Sequence, residues 1–171
     1  VTSAAAVAVC RAIRKVAGIE SQIKWVNDVY IEGKKVCGIL TEASIDFESR
    51  QLDYLVLGIG INVTERDFPP EICDVATSLS HHCAAPIDRS RLIGTLLNEL
   101  DEVISTLSSR SFLAEYRERS FLLGERINVI TAKETLPGTA LSVDGSGHLL
   151  VRMDTGELRT LSSGEVSVRK Q

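Results

Sequence analysis

The stretch Leu55 to Val63, LVLGIGINV, constrains the fold more than any other part of the chain. Side chains of a strand alternate between two faces. Leu55, Leu57, Ile59, Ile61 and Val63 therefore share one face, and Val56, Gly58, Gly60 and Asn62 share the other. The first is a core face. The second lacks two side chains in succession and then carries an amide. Glycine weakens a strand, so two of them at a spacing of two imply that something lies directly on the backbone. Either a flat or chain-like ligand rests there with Asn62 at one end, or another element of the protein packs on the glycines. The segment alone leaves both open.

A second segment has the same character. Lys24 to Glu42 reads KWVNDVYIEGKKVCGILTE and holds three lysines, an Asn-Asp pair and two glycines. Gln22 to Val26 and Val29 to Glu32 are short extended runs, Glu32-Gly33-Lys34 is a hairpin turn, and Lys35 to Phe47 is a longer strand. Such a hairpin can bring Lys35 near Lys24. Two ammonium groups can then neutralise a carboxylate and a phosphate held together, the electrostatic demand of carboxylate adenylation. The acid is already ionised at neutral pH and needs no general base. Asn27 and Asp28 are suitable in type to share a magnesium ion, although an Asn-Asp pair also forms turns without any ligand. Any one lysine taken alone is most often a solvated surface group.

Elsewhere the pattern is helical, then extended. Thr2 to Val16 reads as a helix that Thr2 or Ser3 can cap, with Gly18 at its end. Thr64 to Pro86 has no period and reads as a long loop with a helical turn. Asp88 to Leu107 is a helix capped by Asp88 or Ser90. Its apolar stripe is Leu92, Ile93, Leu96, Leu97, Leu100, Val103, Ile104 and Leu107. Phe112 to Phe121 is a shorter helix with Phe112, Leu113 and Tyr116 inward. After Leu123 come short runs at Arg126–Thr131, Gly138–Val143, His148–Met153, Glu157–Leu161 and Glu165–Val168, separated by Gly, Asp and Ser turns. They suggest a small antiparallel barrel.

Composition narrows the classes. The chain has 171 residues, 44% hydrophobic and 25% charged, enough for a core without staples. Nineteen basic against 23 acidic residues give a net charge of -4, which argues against nucleic-acid binding by this chain. Ala4 to Cys10, the longest apolar stretch, is too short to span a bilayer and lacks a signal-peptide pattern. Cys10, Cys37, Cys73 and Cys83 show no Cys-x-x-Cys spacing and read as reduced core cysteines of a cytosolic protein, with Cys10 and Cys37 in apolar runs as buried thiols. His81-His82-Cys83 sits in a loop without a partner motif and reads as no metal site. Trp25 reads as a core or shape-setting aromatic.

KWVND, KKVCGILTE and GIGINV, in this order and spacing, resemble biotin protein ligases, and ATSL after a proline-bearing loop is also familiar from them. The resemblance covers essentially the whole chain. It implies an α/β (α+β) fold: a mixed sheet with flanking helices, similar to class II aminoacyl-tRNA synthetases and lipoyl ligases, over residues 1–122, then an SH3-like barrel over 123–171. It implies ATP, Mg2+ and biotin as reaction components. Lys24 and Lys35 would then contact the biotin carboxylate and activated phosphate. Asn27 and Asp28 would lie on the nucleotide and metal side, with Asp28 the metal ligand. Gly38 and Ile39 would line the biotin pocket with backbone, Gly58 and Gly60 would lie along biotin, and Asn62 would place the nucleotide. Thr77 and Ser78 would stand near the adenine. The implied partner is a biotin carboxyl carrier protein, in the cytoplasm, with a homodimer through a sheet edge and no membrane.

This chain departs from the family in two ways. Val26 stands where the family usually has proline. The glycine- and arginine-rich loop that closes over the adenylate does not precede the first helix. The chain is therefore expected to be the C-terminal part of a longer protein and inactive or weak alone. Competing accounts are a lipoyl or octanoyl transferase, a regulatory module that binds biotinyl-adenylate without turnover, and a plain interaction domain.

Overall fold

The computed structural model describes residues 1–46, 50–65, 67–131 and 134–162, and the backbone of 167–170. Phe47, expected to close the long strand, and Glu165 and Val166, expected to open the last one, lie outside the described residues.

The first helix, α1 (Thr2–Ala17), ends where Gly18 takes φ 69° and donates its N–H to the Arg14 carbonyl. Glycine tolerates this left-handed conformation, and Arg14 and Lys15 in the last turn suit the negative end of the helix dipole. The expected cap at Thr2 or Ser3 is not made. Val1 occupies the cap position without a side-chain bond, and the Thr2 hydroxyl turns instead to that of Thr41 at 2.8 Å.

Four strands follow: β1 (Gln22–Lys24), β2 (Asp28–Ile31), β3 (Lys34–Ile45) and β4 (Leu52–Ile61), paired in the order β1-β2-β3-β4. The β2–β3 turn has φ 49° at Glu32 and 78° at Gly33, the two left-handed residues of a tight hairpin. Every ladder is antiparallel. Among the described residues, the parallel component of the expected mixed sheet is confined to two isolated bridges, Ile23 to Ser120 and Lys35 to Ala76.

One face of this sheet packs on the helices. Val29, Val36, Cys37 and Ile39 meet Val7, Val9, Cys10 and Ile13 in one buried cluster. Helix α2 (Arg89–Ser105), capped by the Asp88 carboxylate on the Arg91 N–H at 3.0 Å, lies against α1. Its buried residues are Leu92, Glu99 and Val103, with Leu96 and Leu100 partly covered. The broad stripe expected from the sequence is therefore two faces. Ile93, Leu97 and Ile104 remain 58%, 60% and 45% exposed. Helix α3 (Phe112–Arg119) buries Phe112, Leu113 and Tyr116 as expected. It stops short of Phe121 because the chain there turns to β1, where the Phe121 N–H meets the Ile23 carbonyl.

The remaining strands, β5 (Arg126–Ile130), β6 (Thr135–Val143), β7 (Leu149–Met153), β8 (Leu158–Leu161) and β9 (Ser167–Lys170), form a second antiparallel sheet in the order β8-β7-β6-β5-β9. Its core is Ile127, Val129, Ala140, Leu149, Val151 and Leu161. Strand β6 begins earlier than expected and runs through Gly138. A Cβ there would lie 2.8 Å from the Arg152 carbonyl oxygen, so the strands can approach only at glycine. No described helix is long and apolar enough to cross a membrane.

Candidate functional site

The register of the first sheet builds a row of side chains. Lys24 stands opposite Asp28, Asp28 opposite Gly38, and Gly38 opposite Gly60. Residues directly opposite in antiparallel strands share a face. The row therefore crosses all four strands on the side away from the helices. Two residues further along, Leu40 stands opposite Gly58 on the same face.

Lysine and glycine meet in the middle of this row. The Lys35 ammonium lies 2.6 Å from Asp28 Oδ1. A Cβ added to Gly38 would sit 3.2 Å from Lys35 Nζ and 3.3 Å from its Cε. The missing side chain at Gly38 is thus the space in which the ammonium rests. Lys24 holds its own ammonium 5.6 Å from the Tyr30 ring centroid, within cation–π range. Burial first, and then the Asp28 charge, push the Tyr30 phenol above its ordinary pKa. The neighbouring Cys37 thiol is pushed up to about 12, chiefly by burial, which makes it inert as a nucleophile at neutral pH.

Gly58 and Gly60 answer the question left by the alternating strand. An added Cβ would meet the Leu40 carbonyl at 3.8 Å and Leu40 Cβ at 3.9 Å at Gly58, and the Gly38 carbonyl at 3.9 Å at Gly60, all ordinary contacts. No described element packs on them. Beside them Leu40 is 60% and Val56 50% exposed. The result is a strip of bare backbone flanked by apolar side chains and ending at two cations.

The amides serve as ties. Asn27 donates its side-chain N–H to the Ile39 carbonyl at 2.7 Å, and Ile39 donates its N–H to the Asn27 carbonyl at 3.0 Å. Ile39 is 2% exposed, with its side chain in the core, so its tie to the site runs through Asn27. Asn62 donates to the Thr77 carbonyl at 3.0 Å. Thr77 in turn donates its N–H to the Lys35 carbonyl, and its hydroxyl lies 3.3 Å from His81 Nδ1 and 2.9 Å from His82 Nε2. Residues 75–79 therefore run beside the start of β3 and the end of β4. Thr77 is brought to the row, while the Ser78 hydroxyl turns to the Glu65 carbonyl. Lys34, the third lysine of the segment, stands outside the row and donates to the Cys73 carbonyl. Cys73 is exposed rather than core, and Cys83 is half-buried.

Sequence reasoning missed Tyr116. Its buried hydroxyl donates to the Val26 carbonyl at 3.1 Å and fixes the segment between Lys24 and Asn27. Only the pairing of a distant helix with a turn shows this. The periodicity of α3 marked the residue as inward, without its partner. The Trp25–Val26 peptide within that segment is cis.

A metal would find a single carboxylate here. Among the described residues, no three His, Cys, Asp or Glu side chains form a metal-holding group. Magnesium bound mainly through phosphate oxygens needs only one or two carboxylates, so Asp28 fits, sharing its charge with Lys35.

Comparison with known proteins gives this arrangement its class. Residues 1–62, which contain the whole row, match the Biotin/lipoate A/B protein ligase family, and residues 122–169 match the Biotin protein ligase C terminal domain. The chain is 34% identical to the bifunctional ligase/repressor BirA of Bacillus subtilis, over 98% of this chain and 52% of that protein. It is 35% identical to the biotin–[acetyl-CoA-carboxylase] ligase of Mycobacterium tuberculosis, over 86% of this chain and 53% of that one. The biotin protein ligase of Aquifex aeolicus, solved in complex with biotin and ATP, superimposes with a TM-score of 0.85 at 28% identity, over 99% of this chain and 71% of that one. The sheet backed by helices and the SH3-like unit after it are the α+β architecture of these enzymes. The chain belongs to the biotin protein ligase family and spans about half the length of the curated relatives it matches.

Proposed function

We propose that the protein containing this chain couples biotin to a lysine of a biotin carboxyl carrier protein through biotinyl-5'-adenylate. The observation that carries this reading is the Lys35 ammonium seated over Gly38 and beside Asp28, at the end of the bare Gly58–Gly60 strip. In the first step a biotin carboxylate oxygen attacks the α-phosphate of ATP. A carboxyl–phosphate bond forms and pyrophosphate leaves. Both reactants are anions, and Lys24 and Lys35 offset that repulsion and the charge of the transition state. Asp28 orients Lys35 and is the group that would hold Mg2+, which would supply further charge neutralisation on the phosphates. The glycine strip admits biotin against backbone, Gly38 makes room for the ammonium, and Asn27 with Ile39 fixes the strand edge. Asn62 and Thr77 place the nucleotide. In the second step the carrier lysine attacks the activated carbonyl, and AMP leaves.

The match of residues 122–169 to the biotin-ligase C-terminal unit favours biotin over lipoate. We divide the chain at residue 122, with 1–122 as part of the catalytic unit and 123–171 as the SH3-like one. The ATP requirement and the free cysteines support a cytoplasmic setting. A homodimer through a sheet edge is the assembly we propose. The test is the mass of a carrier domain after incubation with biotin, ATP, magnesium and the full-length protein. A biotin-dependent gain abolished by Lys35→Ala supports the reading. No gain, with a carrier that a known ligase modifies, overturns it.

A further inference from the structure

The hairpin between β6 and β7 holds itself rigid. Asp144 Oδ1 accepts from the N–H groups of Ser146 at 2.7 Å and His148 at 2.9 Å, and Oδ2 lies 3.2 Å from His148 Nδ1. The Asp144 N–H meets the His148 carbonyl at 2.9 Å, and the Gly147 N–H meets the Asp144 carbonyl at 3.2 Å. A turn fixed by its own carboxylate fixes the direction of its carbonyls.

Three of those carbonyls accept from outside the second sheet. Arg117 Nε of α3 donates to Val143 at 2.6 Å, Arg110 Nη1 to Gly145 at 2.5 Å, and the Trp25 indole N–H to Gly147 at 3.0 Å. The two arginines anchor the hairpin to the helical layer. The indole carries its position into the candidate site. Trp25 is buried, follows Lys24 directly and precedes Asn27 and Asp28 by two and three residues. Tyr116 holds the other side of the same segment through Val26.

We propose that the hairpin tip, residues 144–148, is a positioning device for the segment 24–28, acting through the Trp25 N–H on the Gly147 carbonyl. The inference rests on the adenylating function proposed above. Trp25 and Asp144 are positioning residues, since neither holds a charge in the row. Their work is to keep Lys24, Asn27 and Asp28 in register with Lys35 when charge builds on the phosphate. A displacement of roughly 1 Å at a reacting centre can lower a rate on the order of a hundredfold. A contact that served cohesion alone would lower stability and leave kcat per folded molecule unchanged.

The experiment uses the full-length protein and follows pyrophosphate release with biotin and ATP. Trp25→Phe keeps the ring and removes the donor. Asp144→Ala frees the hairpin from a distance, and Asp144→Asn keeps an oxygen that accepts both N–H groups. Arg126→Ala breaks the bidentate pair with Asp154 in the same sheet and serves as the control. Expected is a loss of kcat on the order of tenfold to a hundredfold in Trp25→Phe and Asp144→Ala. KM for biotin should stay within about twofold, as for interactions realised only in the transition state. The double variant should be no worse than the poorer single one, because both act through one link. Asp144→Asn should restore the rate, and Arg126→Ala should leave it unchanged. In protein labelled with 5-fluorotryptophan, the Trp25 fluorine resonance, identified by its loss in Trp25→Phe, should move in Asp144→Ala and stay in Arg126→Ala. Additive losses, or an unmoved resonance, overturn the proposal. If the wild-type protein releases no pyrophosphate, the function reading falls, and the resonance alone decides whether the hairpin governs Trp25.

Discussion

Gly38 and Gly58 lie on one face of the sheet, in neighbouring strands, yet alanine should act differently at each. At Gly58 the new methyl meets nothing closer than 3.8 Å. Glycine inside a strand costs roughly 0.5–1 kcal/mol relative to alanine, so Gly58→Ala should stabilise the protein by about that much. It should also weaken biotin binding, because the methyl occupies the strip. At Gly38 the methyl meets Lys35 Nζ at 3.2 Å, the far end of a flexible side chain. Gly38→Ala should therefore fold normally and lower kcat for adenylate formation by displacing the ammonium from Asp28. Urea denaturation alongside pyrophosphate release checks both. A destabilised Gly58→Ala with undiminished biotin affinity would remove the ligand role of the strip. These glycines were legible in the sequence because alternation alone assigns a strand residue to a face. The tie between Asn27 and Ile39 was not, because it depends on the bulged register of β2 on β3.

At the level of helices, the sequence revealed periodicity and hid pairing. The stripe on α2 was read as one face, although Ile93, Leu97 and Ile104 point away from α1. The charged residues between α1, α2 and α3 were not singled out at all. Arg11 reaches Glu115 at 2.7 Å and Glu102 at 3.1 Å, Lys15 pairs with the buried Glu99, and Arg119 pairs with Glu115 at 2.8 Å. Burial pushes the Glu115 carboxyl up, but hydrogen bonds from Arg11 and Arg119 outweigh it and leave its pKa lowered. A carboxylate whose folded pKa is depressed binds fewer protons folded than unfolded. Its stabilisation is present above the unfolded value, about 4.3 for Glu, and is lost as pH falls through the folded one. Glu115→Gln should be less stable at pH 7 and lose less stability on acidification below about pH 4. Thermal midpoints at neutral and acid pH measure this, and identical acid limbs would mean Glu115 contributes nothing. Nearby, Tyr116→Phe should cost about 1 kcal/mol by leaving the Val26 carbonyl without its donor. It should also slow adenylate formation, read as kcat at matched folded fraction.

Across the whole molecule, the order of elements was readable from composition shifts, because one segment is helical and the next is short strands between Gly, Asp and Ser turns. What joins them was not, because Trp25 and Gly147 meet across 122 residues. The open sheet face makes the last expectation one about the entire protein. A ligand that binds only the folded state stabilises it by about 2.7 kcal/mol at a hundred times its Kd. For a protein about twice the length of this chain each kcal/mol raises Tm by roughly 1–2 °C. Biotin at that excess should therefore raise the Tm of the full-length protein by about 3–5 °C. Lipoate at equal concentration should raise it far less, and Gly58→Ala should lose most of the biotin shift because its methyl fills the strip. Equal shifts with biotin and lipoate would transfer the site to a lipoyl-type substrate. An undiminished biotin shift in Gly58→Ala would place the ligand on another surface.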